Sequence, residues 1–236
     1  MKLNDPELVR SEYETEAGLA VRRDTISRFL EGPNAVDAAL AAVAEVVPDR
    51  VLEVGCGMGQ FAERVARELD AKLVAIDLAP RMVDLARQRG IDARVGDVQD
   101  LPFADREFGC VVANWMLYHV PDLDAGVREL ARVLRPGGRL VAATLGEENL
   151  ADLWRLVDYP RPPRPFTAEN GAEVLGRHFA WVERRDVEAA LVFPDRAAVQ
   201  RYVDSSFFAA AVEKRVPEIP EPFRVRTVQA VFVAET

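Results

Sequence analysis

The chain has 236 residues, 49% of them apolar and 29% charged, the make-up of one ordinary globular domain, expected in the cytoplasm. A net charge of −9 leaves no basic footprint for DNA or RNA, and no apolar run approaches the ~18 residues that a membrane span needs. Two cysteines exclude a disulfide framework, two histidines leave no metal cluster in view, and Met1 to Glu7 holds no apolar signal core.

Residues 1–50 read as helices. Pro6 to Tyr13, Val21 to Leu30 and Ala35 to Val47 carry apolar residues at helical spacing, and Asn34 is placed to cap the third. A strand, Val51 to Val54, then runs into Gly55-Cys56-Gly57-Met58-Gly59, and a helical pattern follows from Gln60 to Leu69. Glycines at alternate positions let the backbone turn sharply and keep Cβ atoms away from a ligand. Such a strand–loop–helix cradles a polar cofactor. A dinucleotide site wants Gly-x-Gly-x-x-Gly. Here the third glycine comes one position early, and Gln60 stands where that pattern needs Gly or Ala.

The second strand, Lys72 to Ile76, ends at Asp77. An acidic residue about twenty positions after a glycine loop can accept from the ribose hydroxyls of a nucleoside. Asp77 also precedes Ala79-Pro80 and could cap the helix from Pro80 to Arg89, which stops at Gly90. A third strand, Ala93 to Val95, ends at Gly96-Asp97-Val98, and Leu101-Pro102-Phe103 leads on to Asp105 and Phe108. The fourth, Cys110 to Ala113, ends at Asn114-Trp115-Met116-Leu117-Tyr118-His119-Val120. A helix from Pro121-Asp122 through Val133 turns at Arg135-Pro136-Gly137-Gly138 into a fifth strand, Arg139 to Thr144. Alternating strand and helix implies a parallel sheet with helices on both faces. Beyond it, helices are expected over Gly146 to Val157, Thr167 to Gly176 (with Thr167 as cap) and Arg196 to Val212. Tyr159 to Phe166 holds four prolines and reads as an extended loop, while Trp181 to Val192 and Arg224 to Glu235 have strand composition.

Glu53-x-Gly55-x-Gly57-x-Gly59 resembles the first motif of the class I S-adenosylmethionine-dependent methyltransferases. The segments at Asp77, at Asp97 with Leu101 to Phe108, and at Leu117 to Val120 with Leu134 to Gly138 are similar to later motifs of that family, in order. The resemblance covers about Val51 to Thr144 and departs at Gly109, where the family usually has Asp. The small-molecule methyltransferases, with the ubiquinone/menaquinone-biosynthesis type among them, are the nearest subgroup. The resemblance implies a Rossmann-like, seven-stranded, mostly parallel sheet. Its last strand is antiparallel and inserted between strands five and six. It also implies one domain: a helical lid over 1–50, a cofactor core over 51–145, and acceptor-side elements with the closing strands over 146–236; residues 1–30 of the lid are expected to order on cofactor binding.

The implied cofactor is S-adenosylmethionine, leaving as S-adenosylhomocysteine. Gly55, Cys56, Gly57 and Gly59 would hold its methionine part, with Glu53 at the amino end, Asp77 at the ribose, and Asp97 and Val98 at the adenine. Asn114 would face the methionine portion, and Leu78, Met82 and Trp115 complete the set. Some of these residues have plainer readings. Asp97 can be a turn residue, and both cysteines can be small core residues. His119 is the candidate base for an in-line methyl transfer, or a packing residue at a helix start. Tyr13, Tyr118, His119 and Trp154 are candidates for the acceptor wall, and aromatics are equally common core fillers. The expected partner is a small-molecule methyl acceptor, with no nucleic acid and no membrane, in a monomer or homodimer. Two other readings stand beside this one. A non-catalytic methyltransferase-like protein would bind the cofactor or a partner. A nicotinamide oxidoreductase would want Tyr-x-x-x-Lys, whereas Tyr118 has Asp122 four positions on.

Overall fold

The computed structural model describes residues 3–207, 209 and 215–236. Helices α1 (Pro6–Glu12) and α2 (Ala17–Phe29) open the chain, α1 starting where the Asp5 carboxylate accepts the Glu7 and Leu8 amides at 3.0 and 3.4 Å. A two-residue strand, β1 (Leu30–Glu31), precedes α3 (Ala35–Ala44), whose Val36 amide donates to Asn34 Oδ1 at 2.9 Å. Strand and helix then alternate through β2 (Arg50–Val54), α4 (Gln60–Glu68), β3 (Lys72–Asp77), α5 (Pro80–Gln88), β4 (Asp92–Val95) and β5 (Phe108–Val112). A 3₁₀ turn over Leu117–His119 leads to α6 (Leu123–Val133), capped by Asp122, and β6 (Leu134–Leu145). The rest comprises α7 (Ala151–Leu156), α8 (Gly171–Leu175), β7 (Trp181–Phe193), α9 (Arg196–Asp204) and β8 (Phe223–Glu235).

The eight strands form one sheet in the order β1-β7-β8-β6-β5-β2-β3-β4. From β6 to β4 all pairs are parallel, and β8 lies antiparallel between β6 and β7, the inserted position expected of the last strand. Strands β2, β5 and β6 are apolar on both faces because helices cover both. Leu130, Phe166 and Phe232 pack on one side, and Ala39, Val43, Phe61 and Val65 on the other. Burying each large side chain contributes roughly 1.5–3 kcal/mol. Strand β2 is the branching point. From it the chain builds outward through β3 and β4, then returns to its other side with β5. That reversal opens a crevice above the C-terminal ends of β2 and β5, where open α/β sheets place ligands.

Several elements differ from expectation. The sheet has eight strands rather than seven, because Leu30 leaves the expected helix and pairs with Leu191 at the sheet edge. The turn at 135–138 is absorbed into β6 as a bulge: Leu134 pairs with Phe108, and the next pair joins Arg139 to Cys110. The helix expected from Gly146 starts only at Ala151, because Leu150 takes a left-handed φ of 54°. The Thr167 hydroxyl caps a turn before α8 by accepting the Glu169 and Asn170 amides. Helix α9 ends at Asp204, and residues 208 and 210–212 of its expected extension lie outside the described residues.

Gly59 packs the loop against the backbone of α5. Its φ is 79°, and a Cβ there would sit 2.8 Å from Ala86 Cβ and 2.9 Å from Ala86 Cα on α5. Gly59→Ala adds left-handed strain to a backbone clash. It is expected to destabilise the fold by about 2–4 kcal/mol, read from the urea midpoint. An unchanged midpoint would show that α5 can give way.

Candidate functional site

Strand β2 delivers three glycines in left-handed geometry, with φ of 70° at Gly55, 53° at Gly57 and 79° at Gly59. The Gly55 and Cys56 amides both donate to the Ile76 carbonyl, at 2.8 and 3.1 Å, and clamp the loop onto β3. A Cβ at Gly55 would meet Met116 Cβ at 2.7 Å, so the loop also presses on the turn after β5. Asp77 lies at the meeting of loop and strand. Its Oδ2 accepts the Gly57 amide at 2.8 Å and its Oδ1 the Ala79 amide at 2.9 Å. The capping bond is therefore present, and it does not exhaust the group, since a carboxylate offers about four acceptor sites. Burial pushes the Asp77 carboxyl up, and the Ala79, Gly57 and Leu78 amides pull it back.

A cavity of about 760 Å³ opens above these strand ends and is roofed by α1 and α2. Every residue of the expected cofactor set lines it except Gly59, which packs behind the loop. Tyr13, Tyr118 and His119 line it too, whereas Trp154 lines a smaller adjoining pocket of about 150 Å³.

Three buried polar atoms in the cavity wall have no hydrogen-bond partner among the described residues. They are Glu53 Oε2, Asn114 Nδ2 and Thr227 Oγ1. Glu53 is 3% exposed, and burial pushes its carboxyl up to about 8 against the opposing pull of Arg23. Asn114 Oδ1 accepts the Ala143 amide at 3.1 Å, which leaves its amide nitrogen as the unpaired group. A buried polar group left unpaired costs about 1–3 kcal/mol, so a ligand that supplies the missing partners recovers it. Acid, amide donor and hydroxyl suit a small zwitterionic group. The residues present therefore fit the amino-acid end of S-adenosylmethionine. Cys56 offers no nucleophile, because burial beside Glu53 and Asp77 drives its thiol well above the usual range.

Helices α1 and α2 and the turn between them are tied down by polar contacts. Arg81 makes a paired bond to Glu16 at 2.9 and 2.8 Å, Arg22 bonds Glu12 at 2.9 Å, and Arg23 donates to Gln60. Most telling is His119. Its Nδ1 lies 2.9 Å from the Leu3 carbonyl and its Nε2 3.2 Å from the Tyr13 hydroxyl. A carbonyl only accepts, so Nδ1 carries the proton and the Nε2 lone pair receives the tyrosine hydroxyl. Enclosure lowers His119 to about 4, so the ring is neutral at pH 7.

Sequence reasoning missed Arg23, Thr227 and Gln229. Arg23 sits in a helix read only for its apolar face. Thr227 and Gln229 lie on β8, a strand whose pairing partners, and so its place over the cavity, are not written locally. Gln229 Oε1 accepts Trp115 Nε1 at 3.0 Å and helps hold Trp115 at a φ of 53°. Among the described residues, no group of three or more His, Cys, Asp or Glu could hold a metal, and no helix is long and apolar enough to cross a membrane.

Residues 52–142 match the model of a family described as "Methyltransferase domain". The ubiquinone biosynthesis O-methyltransferase of Xanthomonas oryzae pv. oryzae is 43% identical over 119 residues, 48% of this chain and 49% of that protein. The malonyl-[acyl-carrier protein] O-methyltransferase of Serratia marcescens is 34% identical over 161 residues, 65% of this chain and 61% of that one. The chain thus spans about half to three fifths of the length of these relatives. The solved structure of Haemonchus contortus phosphoethanolamine N-methyltransferase 2, in complex with phosphomonomethylethanolamine and S-adenosylhomocysteine, has a TM-score of 0.65 at 16% identity. It covers 100% of this chain and 60% of that one, a likeness of fold.

Proposed function

We propose that this chain, a member of the methyltransferase-domain family through residues 52–142, transfers a methyl group from S-adenosylmethionine to an oxygen of a small organic acceptor. One observation carries the reading. Glu53 and Asn114, two residues that line the cavity of a glycine loop, each hold a buried polar atom with no partner among the described residues. When bound, S-adenosylmethionine supplies a methyl group on a sulfonium, already a good leaving group. The chain has to bind, orient and exclude water. Glu53 and Asn114 hold the methionine end, the free acceptor sites of Asp77 take the ribose hydroxyls, and Asp97 and Val98 flank the adenine. Tyr13 and His119 take up the acceptor's proton.

Calorimetric titration with S-adenosylmethionine, S-adenosylhomocysteine and NADH tests the cofactor. The two sulfur compounds are expected to bind at about micromolar affinity and NADH not at all. Binding of NADH alone would overturn the reading. Labelled methyl transfer to a panel of hydroxylated acceptors then tests turnover.

Glu53 gives a second handle. With its carboxyl held up at about 8, it keeps its proton at pH 7 in the empty cavity. A cationic amino group placed against it favours the carboxylate, so binding releases a proton. Affinity for the cofactor is therefore expected to rise with pH up to about 8 and then level off. At pH 7 the binding heat should depend on the buffer's ionisation enthalpy, and Glu53→Gln should remove most of that dependence. The same dependence in the variant would place the proton elsewhere.

A further inference from the structure

We infer that the methyl acceptor is a single-ring aromatic bearing a carboxylate, seated in the smaller pocket with its carboxylate on Arg164; this rests on the methyltransferase reading of the larger cavity. The chain has four tyrosines, and all four line that pocket: Tyr13, Tyr118, Tyr159 and Tyr202. Trp154 stands beside them, its ring 4.3 Å from Tyr159 and 5.9 Å from Tyr202. His119 joins the same wall, 4.5 Å from the Tyr118 ring. Flat walls select a flat guest, and a cavity of roughly 150 Å³ holds a benzene-sized molecule. Tyr13, Tyr118 and His119 line both cavities, so a ring in the small pocket presents its hydroxyl at the junction, beside the Tyr13–His119 bond.

The charge of this wall runs against that of the chain. Asp and Glu outnumber Lys and Arg by 39 to 30 overall, yet no Asp or Glu is among the residues described as lining the pocket, and three arginines are. Two of the three are engaged. Arg22 bonds Glu12 and the Ser205 carbonyl, and Arg161 lies 3.6 Å from Glu148. Arg164 is half-buried and makes no hydrogen bond or ion pair with the described residues. Its charge is felt at Tyr118, His119 and Tyr202, three groups of the same wall. The prolines at 162, 163 and 165 restrict the backbone that carries it. A partly desolvated guanidinium without a counter-ion among the described residues suits a carboxylate, which it can bind through two parallel hydrogen bonds. Transfer forms a bond between the ring oxygen and the methyl carbon and breaks the carbon–sulfur bond, with its electron pair left on sulfur. The hydroxyl proton passes to the Tyr13–His119 pair.

The test titrates protein saturated with S-adenosylhomocysteine with 3,4-dihydroxybenzoate, with its neutral amide 3,4-dihydroxybenzamide, and with the non-aromatic hydroxy acid quinate. The benzoate is expected to bind at least about ten-fold more tightly than either of the others. Arg164→Met should erase the preference over the amide and Arg164→Lys should keep part of it. Both variants should bind S-adenosylhomocysteine like the parent, which also shows that they fold. Equal binding of acid and amide, binding of neither, or a preference that survives Arg164→Met would overturn the carboxylate assignment. Quinate binding as tightly as the benzoate would overturn the aromatic one. In each of these cases S-adenosylhomocysteine still binds and the methyltransferase reading stands. Failure of S-adenosylhomocysteine to bind the parent would remove both.

Discussion

His119→Ala is expected to slow methyl transfer by about 100-fold or more while leaving cofactor affinity nearly unchanged. The two ring nitrogens of His119 have different partners. Nδ1 donates to the Leu3 carbonyl, so Nε2 is the basic atom, and its partner is the Tyr13 hydroxyl. An acceptor hydroxyl at the junction of the two cavities can donate to the tyrosine oxygen as the tyrosine proton moves to Nε2. Neither ring carries charge beforehand: enclosure lowers His119 to about 4 and raises Tyr13 above its usual range. A neutral pair is the right starting state. A bound sulfonium would disfavour a second cation at His119, and methyl transfer would remove that opposition. In the proposed reaction the cavity would keep one positive charge throughout, with His119 holding it at the imidazole after transfer. The sign for pH follows. The base works when unprotonated, so kcat at saturating cofactor should be flat from pH 8 down to about 5 and fall as pH drops through about 4. Tyr13→Phe removes the relay oxygen and should give a comparable loss in kcat with little change in the KM for the cofactor. Parental rates in both variants would return His119 to a packing role.

Legibility from sequence followed the range of the interactions. The glycine loop, Asp77, Asp97 and Asn114 stand close together because each lies at the C-terminal end of a parallel strand, and strand ends can be read from local pattern. Left-handed backbone at Gly55, Gly57 and Gly59 is likewise a local demand. Pairing across long separations is not. Leu30 leaves a helix for the sheet because Leu191 offers an unpaired edge, more than a hundred residues away in sequence. Thr227 and Gln229 look like ordinary strand residues until β8 inserts beside β6 and turns them over the cavity. Arg164 sits in a segment that reads only as a proline-rich loop, and its importance comes from its neighbours, Tyr118, His119 and Tyr202. Trp154 was expected at the acceptor wall and lies in the smaller pocket, a division that no local pattern records.

Asp77→Ala is expected to weaken S-adenosylhomocysteine binding by about 100-fold, the worth of charge-assisted hydrogen bonds lost. Affinity alone does not say why, because Asp77 has two jobs. Its Oδ2 holds the Gly57 amide and its Oδ1 the Ala79 amide, so the variant leaves two loop donors unpaired and loosens the cradle. It also removes the acceptor sites proposed for the ribose. A second cut separates the two contributions. The 2′-deoxy analogue of S-adenosylhomocysteine lacks one of the hydroxyls in question and is expected to bind the parent about ten-fold more weakly. If Asp77 accepts that hydroxyl, the analogue loses nothing further in Asp77→Ala, because the bond is already gone. If Asp77 only braces the loop, the hydroxyl keeps its partner elsewhere and the two losses add, as they do for independent sites. Non-additivity of about ten-fold therefore assigns the ribose to Asp77, and additivity leaves it a structural clamp between Gly57 and Ala79.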